Sequence, residues 1–323
     1  MKNMLVIATK EGVVVAQEAN GDWQQAGRSL TARQVNSVSV QDGSILAGTS
    51  DGIFRSEDLS QTWAASSEGI SVPKIRWVAH HPDASGTVLA GTEPAAIFLS
   101  RDGGRLWREC PEVAALRDEH GWYLPYSPEA GCVRGFAFHG ERIYAAVEQG
   151  GLLCSDDRGD TWRLCEGSNG IPQTPLEGFI HPDIHSVTVH PSSSNLVFAP
   201  TGGGLYGSRD GGASWKHLYH CYCRAAWWDP GDADRLVFGP ADSVDRNGRI
   251  EMSRDGGQSW QAASGELTVP WAEHMVERFL QVEYELLAVL SNGALLAAPL
   301  ASLQWEPILP EAGWVRAVAA VRI

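Results

Sequence analysis

The chain has no apolar run approaching the length of a membrane span, which excludes a helical transmembrane protein. Its start, MKNMLVIATKEGVVVA, lacks a secretory apolar core and a cleavage site, and alternates like a strand entering a sheet. Positive charge is also scarce: 25 Lys and Arg stand against 39 Asp and Glu, a formal net charge of −14. That balance argues against nucleic acid or an anionic membrane as the main partner. The expected compartment is the cytoplasm, so Cys110, Cys132, Cys154, Cys165, Cys221 and Cys223 are expected as free thiols. Cys221 and Cys223 form a lone C-x-C, which has no strong spacing signature and leaves both ligand and filler open.

Trp and Gly, by contrast, are abundant, at 13 and 35 residues. Much of the excess comes from one phrase: SRDGGRLW at 100–107, SDDRGDTW at 155–162, SRDGGASW at 208–215 and SRDGGQSW at 253–260. A worn copy, SEDLSQTW, runs from 56 to 63, and weaker ones end at Trp23 and Trp305. The final Trp residues at 23, 63, 107, 162, 215, 260 and 305 recur every 40 to 55 residues, the period of a four-stranded propeller blade. Short β-branched and aromatic runs lie between Gly/Pro punctuation, giving strands A to D in each repeat. The reading is therefore all-β: one seven-bladed β-propeller domain over 1–323. The N-terminal segment (1–30) has no strand A, and WVRAVAAVRI (314–323) has that strand's pattern. Blade 1 is expected from the two together, with the C-terminal strand closing the ring and removing an open edge.

The S-x-D-x-G-x-x-W phrase resembles the Asp-box (BNR) repeat of β-propellers. The resemblance implies peripheral hairpins opposite the binding face, with a structural role for Asp102, Asp157, Asp210 and Asp255. It covers nearly the whole chain, and the likeness is greatest to single bacterial propellers called YVTN/BNR-like or glycosyl hydrolase-like. Sialidases share the repeat and hold a substrate carboxylate with three arginines. They have six blades and an F-R-I-P motif absent here, and no Tyr/Glu nucleophile pair can be assigned, although Tyr123 and Tyr126 are available. Xyloglucan-type glycosidases pair two seven-bladed propellers. Photosystem II assembly factors of the Ycf48 type are single seven-bladed propellers without enzymatic activity. One fold hosts many sites, so function must be read from the residues.

Aligning the starts of strand A gives one column: Asn36, Arg76, Arg134, His185, Arg224, Glu277 and Arg316. Strand alternation puts these on one side, at the expected channel mouth. With His neutral the column sums to +3 in an acidic protein. Clustered guanidinium groups suit a small anionic ligand bearing a carboxylate, sulfate or phosphate. Alternatively the arginines pair with Glu93, Glu148 and Glu277 and need no ligand.

Two connections are long, Trp107 to Arg134 and Trp162 to His185, and are expected to wall a pocket. The first carries His120, Trp122, Tyr123 and Tyr126. The second ends in His181-Pro182-Asp183-Ile184-His185, and Trp271 lies before blade 7. If extended, 181–185 presents His181, Asp183 and His185 on one side, a ligand set for a divalent metal such as Zn²⁺. Without metal, His185 or His181 suits a general base oriented by Asp183, with Glu148 as the second candidate acid/base. The expected function is thus anion binding, with or without hydrolase or lyase chemistry. The alternative is a non-enzymatic, Ycf48-like protein-interaction or assembly propeller, with Trp122, Tyr123, Tyr126 and Trp271 as anchors on the top-face loops. Aromatics turned into a cavity favour the first; aromatics turned outward favour the second.

Overall fold

The computed structural model describes residues 3–172 and 176–322. It is a seven-bladed β-propeller built from seven antiparallel four-stranded sheets. Blade 1 combines Val315–Arg322 with Asn3–Thr9, Gly12–Ala19 and Asp22–Ser29. The strands A of blades 2 to 7 are Val35–Gln41, Ile75–His80, Cys132–His139, Thr188–Val189, Tyr222–Trp228 and Val276–Val282. The C-terminal strand thus supplies strand A of blade 1, paired with the first strand in a register that sets Val6 against Ala319. Among the described residues no helix is long and apolar enough to cross a membrane. None of the six cysteines is in a disulfide, and Cys223 is buried beside Leu205 and Phe238 as core filler.

The chain forms two compact units. One comprises Met1–Glu93, Ile97–Glu109 and Leu280–Ile323; the other comprises Pro94–Ala96 and Cys110–Phe279. The first holds blades 1 to 3 and most of blade 7, with a core that includes Leu5, Ile7, Val14, Leu287 and Val289. The second holds blades 4 to 6 and the start of Val276–Val282, with Tyr144, Leu152, Ile184 and Val197 among its core residues.

Each S-x-D hairpin uses one hydrogen-bond scheme, the worn copy included. The Ser hydroxyl donates to the Asp carboxylate at 2.7–2.8 Å in all five copies, from Ser56–Asp58 to Ser253–Asp255. The same hydroxyl accepts the backbone N–H four residues on, for example Gly212 at 2.8 Å. In the worn copy Leu59 and Ser60 take the positive φ that a pair of glycines supplies in three of the others and Arg158 with Gly159 in the fourth. The Asp carboxylates also accept from the residue before Trp. Hydrogen bonds from the Thr62 hydroxyl and N–H, then from Ser56, hold Asp58 at about 2; Ser259 and Ser253 do the same for Asp255. Carbon-detected NMR titration should therefore place both carboxyl midpoints near 2. Midpoints near 3.8 would show that these hydrogen bonds do not persist in solution.

The strand-A column is built by a device the sequence does not display. Asn36, Arg76 and Arg134 each fall where the register of their strand shifts, between Val35 and Ser37, Ile75 and Trp77, and Val133 and Gly135. Arg224 lies in the shift between Cys223 and Ala226, and Arg316 is the residue skipped opposite Ala8 and Thr9. A β-bulge leaves one residue out of the ladder and re-aims its side chain. Strand A of blade 5 is short, with only Thr188–Val189 in the ladder. There the His185 ring and the Ser186 hydroxyl bond the backbone of blade 6 at Cys223 and Arg224 instead.

Candidate functional site

In the first unit the column residues are already partnered. Glu93, 2% exposed, pairs with Lys74 and, at 3.3 Å, with Arg76. Arg316 donates to the Asn36 amide oxygen, and the Asn36 amide donates to the Ile75 carbonyl at 2.7 Å.

In the second unit one polar network links blades 4, 5 and 6 to the start of blade 7. Tyr126 donates to Glu148 Oε1 at 2.7 Å, and Arg134 Nη1 donates to Glu148 Oε2 at 3.0 Å. Arg134 Nη2 lies 3.6 Å from Glu277, which also pairs with Arg224. Arg224 Nε donates to the Tyr222 hydroxyl at 3.3 Å, and that hydroxyl lies 3.3 Å from His185 Nε2. His185 Nε2 is also 3.3 Å from Asp183 Oδ2. Arg278 donates to the Arg134 carbonyl at 2.7 Å, and Asp245 lies 3.8 Å from Arg224. Three guanidinium groups thus meet four carboxylates, a net −1 with the histidine neutral. The expected arginine excess is absent from this unit because Glu148 and Glu277 neutralise it.

The electrostatics follow from burial opposed by pairing. Burial alone would raise the Glu277 carboxyl, but Arg224, Arg134 and Arg278 hold it below the usual range. Burial likewise opposes ionisation of Asp183, and His185, His181 and Arg134 outweigh it, so its carboxyl is also lowered. Tyr222 is pushed up to about 12, chiefly by burial, and Tyr126 is raised by burial and by the Glu148 charge. Neither phenol is poised to ionise in this arrangement.

The tautomer of His185 is set by its surroundings. Nδ1 lies 2.8 Å from the Cys223 carbonyl, which can only accept, so Nδ1 carries a proton. Nε2 is left to face Asp183 and Tyr222. Glu148, Asp183 and His185 each bring a potential ligand atom within 4.8 Å of the others. The expected set named His181 in place of Glu148. The 181–185 segment is not extended: Ile184 N–H returns to the Pro182 carbonyl at 3.2 Å, which bends it. His181 instead turns Nδ1 to accept the Asp183 N–H at 3.2 Å, and its ring packs beside Gly203.

The long connections also differ in part from expectation. The first contains a helix, Pro111–His120, with Pro at its start and Gly121 in the left-handed region at its end. Trp122, 3% exposed, donates to the Gly170 carbonyl at 2.8 Å and fastens the two connections together. Trp271 is buried, stacked on His274 and backbone-bonded to Gly248. These two are structural pins, not exposed anchors, and His120 packs beside Gly170 rather than in the network. Tyr123 and Tyr126 do face outward, at 40% and 61% exposed. The 240–249 segment is a polar turn with Asp245 and Asn247 at positive φ, and it brings Asp245 to Arg224. Tyr222 was not anticipated, although its place two residues before Arg224 in the same strand was a usable signal.

No family model matches the chain. It is 29% identical over 159 residues to an oligoxyloglucan-reducing end-specific xyloglucanase of Emericella nidulans, a match spanning 47% of this chain and 17% of that protein. An ancestral GH74 enzyme is similar in structure, with a TM-score of 0.63 and 15% identity, over 90% of this chain and 38% of that one. YCF48 bound to a D1 peptide is similar at a TM-score of 0.57 and 15% identity, over 87% of this chain and 83% of that one. At these identities the structural likeness establishes the propeller fold and nothing further. Propellers of this fold thus include both glycoside hydrolases and a peptide-bound protein.

Proposed function

We propose that the chain is a recognition propeller that binds a basic, partly apolar polypeptide segment on the long connections of its second unit. The observation that carries this reading is the outward placement of Tyr126, 61% exposed while its hydroxyl is anchored on Glu148. Ile171, Leu176, Phe179 and Val244 are exposed on the neighbouring connections. Exposed apolar side chains ringed by polar groups mark interaction surfaces. The connections 110–133, 163–184 and 240–249 carry four arginines against nine carboxylates, a net −5, which favours a basic partner. The arginines of the network are occupied by Glu148 and Glu277, so a small anion gains little there. The peptide held by YCF48 supports the reading by analogy of fold.

Selection of binders from a displayed random peptide library tests it. Enriched peptides should be rich in Lys, Arg and apolar residues, should bind less tightly as salt rises, and should lose on the order of 30-fold in affinity with Tyr126→Ala. Binders indifferent to Tyr126→Ala and Phe179→Ala would sink the proposal. A hydrolase reading has its own support in the closeness of Glu148, Asp183 and His185 and in the xyloglucanase likeness. It requires turnover of a glycoside that Glu148→Gln abolishes.

A further inference from the structure

We propose that Glu148, Asp183 and His185 hold one divalent transition-metal ion of the Zn²⁺ class; the proposal does not rest on the partner reading above, although the two share Glu148. Three observations converge on it. The first is the opposition of His185 Nε2 and Asp183 Oδ2. With Nδ1 donating to the Cys223 carbonyl, Nε2 is the ring atom turned toward a carboxylate oxygen 3.3 Å away. A charge-assisted hydrogen bond from a protonated ring would be shorter, about 2.7–2.9 Å. Ligands at about 2.0–2.1 Å from a tetrahedral zinc stand roughly 3.3 Å apart, which is the separation seen.

The second is Asp183 Oδ1, which is inaccessible to solvent and has no hydrogen-bond partner. A buried carboxylate oxygen left so is costly, and a metal satisfies it without a further protein group. The third is the way the other two ligands are steadied. His185 is fixed by Nδ1–H on a backbone carbonyl, and Glu148 by Arg134 Nη1 on Oε2 at 3.0 Å. Metal-bound histidines and carboxylates are characteristically oriented by such outer hydrogen bonds. The network as a whole, with the ligand carboxylates Glu148 and Asp183 counted in it, carries a net −1, which does not repel a dication. Glu148 has the longest way to move, and its bond to the exposed Tyr126 is the one that must yield.

Chelator-treated full-length protein titrated calorimetrically with Zn²⁺ tests the site. One equivalent should bind, with affinity falling on the order of 100-fold or more in Asp183→Asn and in His185→Gln. The competing imidazoles are His217 and His220, whose rings lie 5.6 Å apart. His217→Ala/His220→Ala should therefore keep one equivalent with unchanged affinity. Loss of binding in that double variant, with retention in Asp183→Asn, would overturn the assignment, as would no binding by the wild type. Should the ligand variants fail to fold, anomalous scattering from zinc-soaked wild-type crystals decides. A peak about 2.0–2.2 Å from His185 Nε2 supports the site, and a peak elsewhere or none refutes it.

Discussion

A chain ending at Gly313 should not fold. The deleted strand pairs with Asn3–Thr9 from Met4 to Thr9 and brings the buried Val315 and Ala317 into two core clusters. Its loss uncovers one edge and both faces of the first strand, where Leu5, Val6 and Ile7 are fully buried. Each such side chain returned to water costs about 1.5–3 kcal/mol. A few of them match the whole stability of a typical domain, about 5–15 kcal/mol. The exposed backbone edge adds a template for aggregation. Urea unfolding followed by tryptophan fluorescence should show no cooperative transition for the truncated chain. A transition with the midpoint of the intact protein would mean that blade 1 stands on three strands.

That dependence could be read from the sequence because the missing strand A and the spare C-terminal pattern are both local signals. The seven blades were legible for the same reason: each hairpin ends in a Trp, and the Ser/Asp hydrogen bonds need only eight consecutive residues. The column from Asn36 to Arg316 was found by aligning strand starts, although alternation was an incomplete reason for it. Five of its members are set by bulges, and a bulge has no sequence mark beyond the residues it leaves in place.

What stayed hidden was anything decided between distant segments. The pairing of Glu148 with Tyr126 joins residues 22 apart; pairing of the arginines with Glu93, Glu148 and Glu277 was the stated alternative, but that Arg224 meets Glu277, 53 residues on, was not legible. Spacing suggested His181 as a ligand, but the turn at Pro182 rotates it away and leaves Glu148 nearer. Trp122 and Tyr123 are adjacent in sequence, one buried and one exposed, because the segment leaving the helix at Gly121 shows no period to separate them. An aromatic count can nominate anchors, but which ring faces outward depends on the carbonyl of Gly170, 48 residues on.

Arg134→Ala is expected to be the most damaging single substitution in the second unit. The Arg134 side chain is 12% exposed and pairs with Glu148, whose side chain is 7% exposed, and with Glu277. Removing one partner of a buried pair leaves an uncompensated charge, at a cost of about 3–5 kcal/mol near neutral pH. Arg224 still neutralises Glu277, so the penalty falls mainly on Glu148, and adding Glu148→Gln should restore part of the loss. The pH dependence follows from the lowered carboxyls. Glu277 and Asp183 have depressed folded-state values, to which Arg134 contributes in both cases. Their stabilisation is present above the unfolded values, about 4, and is lost as pH falls through the lower folded values. The variant has less of it to lose. Urea unfolding across pH should therefore show a wild-type advantage that is greatest near neutrality and narrows below about pH 4. An advantage constant from neutral to acid pH would assign Arg134 to packing by its aliphatic stem and remove the charge network as its reason for being there.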